Sequence, residues 1–370
     1  MTINHNFFLD LAFQLAEKKL GQTGLNPSVG SIVVKNNTVI SSGATSIGGR
    51  PHAERNALNK IRNVEGATLY TTLEPCTHFG KTSPCTNIII KKKIRNVYYA
   101  LEDPDIRTYK KAKKILNKKG IKSQLVKSKN YNKFYKSYII NKKLNIPFIS
   151  AKLALSKDYF TINNKGKWIT NNSSRKITHL IRSQHDGLIS TSKSINSDNS
   201  LLNCRITGLN NFKPDLFIID LNLKLKKNLL LNKILKKRKT YLITYKKNIK
   251  KIKIFKKKGF KIIFIDSLKD KIDFISLFKK LYLMGYSRIL VETGLSFLNT
   301  LIKNKLINDL YIFKNNNTLK KNGKNNATIK YLKNILLKQI SINLDNDKLY
   351  KKEFWICLME LFIIREKFIA

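Results

Sequence analysis

Phe8, Leu11, Ala12 and Leu15 recur at the three-and-four spacing that lines one face of a helix, and a lysine-rich turn followed by Gly21 ends the pattern. Short apolar runs follow. Residues 31–34 and 38–41 flank Lys35-Asn36-Asn37 and predict a hairpin. Runs at 67–72, 96–101 and 121–126 predict further strands, alternating with helix-like stretches that include a short helix over 52–61. Residues 127–145 are polar, lysine-rich and without a large apolar stripe, and Pro147 closes them, which places a domain boundary there. From Phe148 a second alternation begins, with strands predicted at 148–155, 188–191, 215–220, 240–245, 261–265 and 288–292 and helices at 173–184, 271–284 and 295–302. A chain of 370 residues is long enough for two α/β domains with separate cores.

Within the first domain, His52-Ala53-Glu54 is followed by Pro75-Cys76 and Pro84-Cys85. One imidazole and two thiolates make three ligands of a tetrahedral zinc site. Its fourth position takes water, whose pKa the ion lowers from about 15.7 to roughly 7. Glu54 lies two residues past His52 on the same predicted helix and can reach that water without being a ligand. A single carboxylate can take the water's proton and return protons to a ring nitrogen and to departing ammonia. His-x-Glu followed by Pro-Cys pairs is the signature of the zinc deaminases. Two other readings stand beside it. Cys76 and Cys85 can form a disulfide, which a long chain with four cysteines and no signal peptide does not need. His78 can close a purely structural site as a fourth ligand. Both ligand segments fall where a strand or loop hands over to a helix, and positive helix ends favour thiolate over thiol.

The stretch Thr72-Leu73-Glu74-Pro75-Cys76-Thr77-His78-Phe79-Gly80-Lys81-Thr82-Ser83-Pro84-Cys85 resembles the deaminase motif of the RibD family of bifunctional riboflavin biosynthesis enzymes. Eight residues separate its cysteines, whereas nucleic-acid and free-nucleoside deaminases use Cys-x-x-Cys. Asn26-Pro27-Ser28-Val29-Gly30 is similar to the family's substrate-binding Asn-Pro-x-Val-Gly, and Gly49-Arg50-Pro51 before His52 and the later Asp103-Pro104 match as well. The second half resembles the family's reductase through Lys152-Leu153-Ala154-Leu155-Ser156-Lys157-Asp158, Trp168-Ile169-Thr170, Arg182, Asp186, Asp198, Leu202 and Arg205. The likeness runs to about residue 300 and thinly beyond.

That resemblance implies a cytidine-deaminase-like α/β/α sandwich over residues 1–146 and a dihydrofolate-reductase-like α/β domain over 147–358, with 359–370 an extension of unknown role. It implies one Zn²⁺ per deaminase domain, held by His52, Cys76 and Cys85, with Glu54 as the catalytic proton carrier. Substrate contacts fall to Asn26, Arg182, Leu202, Arg205 and Glu292, and NADPH contacts to Ala154, Trp168, Ser194, Asp198 and Gly294. Read from the residues alone, a lone Arg205 is a surface cation and Trp168 a core side chain. Val291-Glu292-Thr293-Gly294 before a helix offers backbone N–H groups to a cofactor phosphate, a common arrangement. Several positions depart from the family: Tyr159 replaces a Gly, which matters if that residue needs a positive φ. Ser194 replaces a Thr, Asn199-Ser200 an Asp-Pro, Leu221 a cofactor-contacting Ser and Thr293 a Gly.

The formal net charge of +49, from 72 Lys plus Arg against 23 Asp plus Glu, suggests a polyanion partner at first sight. The excess is mostly lysine spread along the chain with abundant Asn and Ile, the signature of A/T-rich codons, and no arginine-rich patch interleaved with aromatics appears. No specific nucleic acid is therefore expected. The apolar run over 354–364 is broken by Glu360 and is shorter than the roughly 20 residues that span a membrane. The sequence leads to a cytoplasmic enzyme acting on a small phosphoribosyl-pyrimidine, and family members commonly associate into homo-oligomers. The rivals are an RNA or nucleoside zinc deaminase fused to an inert domain, a basic RNA-binding protein with structural zinc, and a deaminase whose reductase half has decayed.

Overall fold

Helix α1 (His5–Glu17) starts where the Asn4 side chain accepts the Phe7 N–H, and it buries Phe8, Leu9, Ala12, Phe13 and Ala16. Strands β1 (Gly30–Lys35) and β2 (Thr38–Ala44) form the expected hairpin, closed by Asn36 and Asn37 at φ 49° and 60°. Two successive left-handed residues match the right-handed twist of the strands, and Asn tolerates that conformation. Helix α2 (Ala53–Leu58), β3 (Thr68–Thr71), α3 (Cys85–Lys91), β4 (Asn96–Tyr99), α4 (Lys111–Asn117) and β5 (Lys122–Leu125) follow. The five strands form one sheet in the order β2-β1-β3-β4-β5, antiparallel at β2/β1/β3 and parallel at β3/β4/β5. One core packs α1 on a face of the sheet, and a second packs Leu58, Ile88, Ile89 and Leu116 on the other.

The polar reading of residues 127–145 is corrected by α5 (Tyr131–Phe134) and α6 (Lys136–Leu144). Tyr131, Tyr135 and Tyr138 are all buried there and join Phe8, Phe13 and Tyr70 in the α1 core. Their four-and-three spacing is an apolar stripe written in tyrosine, so a reading that looked for aliphatic residues passed over it. The segment is part of the first unit.

The structure, a computed structural model, describes residues 4–127, 131–166, 168–209, 213–246, 249–327 and 339–354. They divide into two units between Asn145 and Ile146. The second unit comprises β6 (Phe148–Leu155), β7 (Phe160–Asn163), α7 (Asn172–Ser183), β8 (Gly187–Thr191), α8 (Ser192–Asp198), β9 (Asp215–Ile219), β10 (Thr240–Thr244), α9 (Ile249–Lys257), β11 (Lys261–Phe264), α10 (Lys271–Leu283), β12 (Arg288–Val291), α11 (Leu295–Lys303), β13 (Asp309–Asn315), β14 (Gly323–Asn326), β15 (Ile342–Leu344) and β16 (Asp347–Glu353). Its main sheet has the order β11-β10-β9-β8-β12-β6-β13-β16-β15. The strands from β11 to β13 run parallel, and β16 and β15 add antiparallel. Helices cover parallel strands on both faces, which is why β9 and β10 are buried at every position. β7 and β14 pair apart from this sheet.

Tyr159 does take a left-handed backbone, φ 66°. For a bulky residue this costs on the order of 1–2 kcal/mol. The turn is held against that strain by Asp158, whose carboxylate accepts from the Ser156 hydroxyl and from the N–H groups of Leu319 and Lys320. The Lys314 ammonium sits 4.1 Å from the centre of the Tyr159 ring. Among the described residues no helix is long and apolar enough to cross a membrane. The run over 354–364 beyond its first residue, Cys357 and the expected 359–370 extension lie outside the described residues.

α1 crosses β1 so closely that a Cβ on Gly30 would overlap the Ala12 carbonyl and come 3.2 Å from the Ala16 N. Gly30→Ala is therefore expected to destabilise the first unit by about 3 kcal/mol, because backbone cannot yield as a side chain can. Hydrogen exchange of the α1 and β1 amides checks this, and unchanged protection would contradict the packing.

Candidate active sites

His52 is the N-cap of α2 and Cys85 the first residue of α3, while Cys76 lies in the loop after β3. The ligand atoms of the three lie within 4.8 Å of one another. His52 Nδ1 is 3.5 Å from the Cys76 sulfur and 3.4 Å from that of Cys85. A tetrahedral ion with Zn–N near 2.05 Å and Zn–S near 2.3 Å separates its nitrogen and sulfur ligands by about 3.5 Å. The donors fit zinc in kind and in spacing. The Cys85 N–H, at the start of α3, donates to the Cys76 sulfur at 3.2 Å, so a helix N-terminus supports negative charge there. Hydrogen bonding from the Cys85 side chain, aided by His52, brings the Cys76 thiol down to about 4, and the same bond with burial pushes Cys85 up.

Cys76 and Cys85 are free thiols, which overturns the disulfide reading. His78 turns away from the cluster, its Nδ1 3.1 Å from the Thr108 hydroxyl, and the closed four-ligand reading falls with it. Glu54, in the first turn of α2, is only 4% exposed, and its carboxyl meets the Cys85 sulfur. Burial raises its pKa despite the opposing pull of His52. A carboxyl in that state can hold a proton and give it back, as an acid–base group must.

Two arginines hold the loop between the cysteines. Arg50 Nη1 donates to the Thr82 hydroxyl at 2.7 Å, and Arg55 Nη2 to the Ser83 hydroxyl at 2.7 Å and the Ser83 carbonyl at 3.2 Å. On the other side, the buried Glu74 carboxylate accepts the N–H groups of Asp103, Lys110 and Ala112 at 3.1, 3.0 and 2.9 Å. It ties the segment around Asp103-Pro104 to the strand end that delivers Cys76. Asn26 comes against Gly49, whose φ of 89° and missing side chain admit the Asn26 amide just before Arg50-Pro51-His52.

In the second unit, Arg182 and Glu292 form a buried bidentate pair, Nε to Oε1 at 2.6 Å and Nη2 to Oε2 at 2.9 Å, with Nη1 donating to the Asn203 carbonyl at 3.0 Å. Burial would raise the Glu292 carboxyl, but the Arg182 charge and hydrogen bonds outweigh it and, with Lys152, bring it down to about 2. Arg205 is exposed, and its Nη1 donates to the Asn203 side-chain oxygen at 2.9 Å. Lys152 and Ala154 share one face of β6, since side chains alternate along a strand. Burial lowers the Lys152 ammonium, with Glu292 and Asp198 pulling the other way and Arg182 adding to the fall.

Ser194 and Gly294 come together: the Gly294 N–H donates to the Ser194 hydroxyl at 3.1 Å, joining the β8–α8 turn to the start of α11. Asp198 is exposed at the end of α8. Leu202 is packed in the hydrophobic core at φ 51°, and its carbonyl accepts from Arg238. Trp168 is 53% exposed, with the Arg175 guanidinium 4.9 Å from its ring centre, so it is not a core side chain.

Residues 2–101 match the cytidine and deoxycytidylate deaminase zinc-binding region, and residues 147–317 match the RibD C-terminal domain. The riboflavin biosynthesis protein RibD of Aquifex aeolicus is 31% identical over 315 residues, covering 83% of this chain and 85% of that protein. The chain belongs to the RibD family. RibD of Buchnera aphidicola subsp. Baizongia pistaciae is 35% identical over 330 residues, with 83% and 86% covered. Solved structures agree in fold: Acinetobacter baumannii RibD gives a TM-score of 0.79 at 23% identity, covering 94% of this chain and 98% of that one. The Thermotoga maritima deaminase/reductase gives 0.76 at 24%, with the same coverage. The expected α/β architecture holds, and the chain is a bifunctional RibD enzyme with a zinc-dependent deaminase and an NADPH-dependent reductase. Neither an RNA or nucleoside deaminase nor an RNA-binding protein is favoured.

Two of the departures from the RibD pattern make local hydrogen bonds, neither of which restores the hydroxyl absent at Leu221. The Leu221 carbonyl accepts from the Thr244 hydroxyl, and the Thr293 hydroxyl turns onto the Gly294 carbonyl. Sequence reading missed Glu74, Lys152 and Asn203 as organising groups. The first two carried a signal, Glu74 a lone charge just past the apolar β3 and Lys152 a lone charge in the middle of the apolar β6, while the buried Asn203 carried none.

Cys76→Ala is expected to lose zinc by elemental analysis while NADPH oxidation with supplied deaminated intermediate persists. Because the folded Glu292 carboxyl lies below its ordinary value near 4.3, the stability it contributes is present above about pH 5 and drains as pH falls toward 2. Glu292→Gln should cost about 3 kcal/mol at neutral pH, by stranding Arg182, and flatten the acid limb of urea stability. An unchanged acid limb would contradict the pairing.

Proposed function

We propose that residues 1–146 hydrolytically deaminate 2,5-diamino-6-(5-phosphoribosylamino)pyrimidin-4(3H)-one and that residues 147–358 then reduce the ribosyl chain of the product to give 5-amino-6-(5-phosphoribitylamino)uracil. The observation that carries this reading is the convergence of His52, Cys76 and Cys85 with Glu54 against the Cys85 sulfur. Zinc held there by His52 Nδ1 and the two thiolates supplies Lewis acidity, which makes water nucleophilic near neutral pH. Glu54 takes up the proton that the attacking water sheds and returns it to the ring nitrogen. It then takes the remaining proton from the hydroxyl added to the ring carbon and passes it to the exocyclic nitrogen, whose bond to that carbon breaks as the carbonyl forms and ammonia leaves. Asn26 orients the pyrimidine from the side of Gly49.

In the second unit NADPH supplies the hydride. Ser194 and Gly294, joined at the start of α11, with Ala154, Trp168 and Asp198, are the residues assigned to it. Lys152, an ammonium whose pKa burial lowers, gives its proton to the ribosyl ring oxygen as the C1′–O4′ bond opens, and the hydride added at C1′ leaves a ribityl chain still bonded to the pyrimidine nitrogen. Arg182 is committed to Glu292 and Asn203, so the substrate phosphate falls chiefly to the fork of Arg205, with the Leu202 backbone beside it. The enzyme works in the cytoplasm, and association into a homo-oligomer rests on the family habit.

Incubating the purified protein with the diaminopyrimidine phosphate and identifying products by mass scores each half separately. The deaminated uracil should form without NADPH, and its two-hydrogen-reduced form only with it. Glu54→Gln should retain zinc yet lower ammonia release at least about 100-fold. Undiminished release would refute the role of Glu54.

A further inference from the structure

We infer that Tyr135 is a positioning residue of the deaminase: its hydroxyl locks the segment carrying Asn26 to the strand end carrying Cys76. Tyr135 is fully buried on the stretch of chain that leads toward the second unit, outside the residues that match the zinc-binding region. Its oxygen lies 2.6 Å from the Thr72 hydroxyl and 3.0 Å from the Ser28 carbonyl, and the Gly30 N–H donates to Thr72 Oγ1 at 3.1 Å. A phenol has one proton. It goes to the Ser28 carbonyl, so Thr72 must donate to the phenol while accepting from Gly30.

The result is a directional chain from the Gly30 N–H through Thr72 and Tyr135 to the Ser28 carbonyl, with every member buried and each bond polarising the next. Its two ends lie on Asn26-Pro27-Ser28-Val29-Gly30, and its middle lies at Thr72, four residues before Cys76. The backbone repeats the tie once, Thr72 N–H to the Gly30 carbonyl at 3.0 Å. That bond fixes Gly30; Ser28 also donates to the Ala16 carbonyl at 2.6 Å, Thr45 holds Pro27 and Val29, and Thr23 holds Asn26, so the phenol is the side-chain tie that couples this otherwise anchored segment at Ser28 to the strand end at Thr72. Tyr138 makes a parallel contact, its hydroxyl donating to Asp103 Oδ1 at 3.1 Å. Tyr135 touches no ligand atom in this scheme and acts through Asn26.

This inference rests on the substrate-orienting role proposed for Asn26. Tyr135→Phe keeps the ring and its packing and removes only the hydroxyl. In the full-length zinc-loaded protein it should raise the deaminase KM about tenfold, with kcat changed less than about threefold, zinc content unchanged and reductase rate within about twofold, as expected for loss of one buried hydrogen-bond junction. A merely structural role would instead lower kcat through a smaller active fraction and leave KM in place. The double variant Asn26→Ala/Tyr135→Phe should be no worse than Asn26→Ala alone, because two residues on one route are not additive. An unchanged KM in Tyr135→Phe, or full additivity in the double variant, overturns the inference while leaving the role of Asn26 intact. An unchanged KM in Asn26→Ala would remove the role of Asn26 and this inference with it.

Discussion

Three donor atoms from three separate stretches of chain must be held within 4.8 Å of one another, and the first unit is built around that requirement. An imidazole and two sulfurs so close, beside a buried carboxyl, are stable only if the segments that carry them cannot drift apart. The structure meets this with polar ties added to the apolar packing of α2 and α3 on the sheet. Arg50 and Arg55 hold the loop between the cysteines, Glu74 gathers three backbone N–H groups, and Thr72 accepts from Gly30. The ties at Glu74 and Thr72 satisfy buried groups that would otherwise be stranded, so these bonds stabilise the fold as well as shaping the metal centre, whereas those of Arg50 and Arg55 lie exposed.

The second unit solves a different problem. Arg182, Arg205 and Lys152 all lie within electrostatic reach of Glu292. Glu292 pairs with Arg182 in bidentate fashion, whereas the Arg205 guanidinium donates to the neutral Asn203 side chain. One guanidinium is thereby structural, and the exposed Arg205 is the candidate for the proposed phosphate contact. Hydride transfer needs geometry more than acid–base machinery, which fits a site made largely of backbone turns and one buried ammonium.

The two units differ in how plainly they were written in the sequence. Strands at 148–155, 188–191, 215–220, 240–245, 261–265 and 288–292 were legible as short apolar runs, which burial on both faces demands of β9 and β10, whereas the equally parallel β13 was not predicted. The metal-ligand trio was legible because zinc restricts residue type and spacing so tightly. The α5–α6 segment was not, since its buried face is tyrosine in a lysine-rich background. Strand β14 was invisible too, consisting of Gly323, Lys324, Asn325 and Asn326 with no apolar alternation at all.

By itself the sequence singled out His52, Cys76 and Cys85 with Glu54 near them and much of the alternation of strands and helices, because metal chemistry and periodic burial act through residue identity and short spacing. Only the tertiary structure decided that Cys76 and Cys85 stay thiols beside His52, that His78 turns to Thr108 and that Arg182 is spent on Glu292. It also decided that Tyr159 accepts a left-handed backbone under Lys314. Those outcomes depend on groups distant in sequence meeting in space, and no local pattern records which of several available partners a side chain will find.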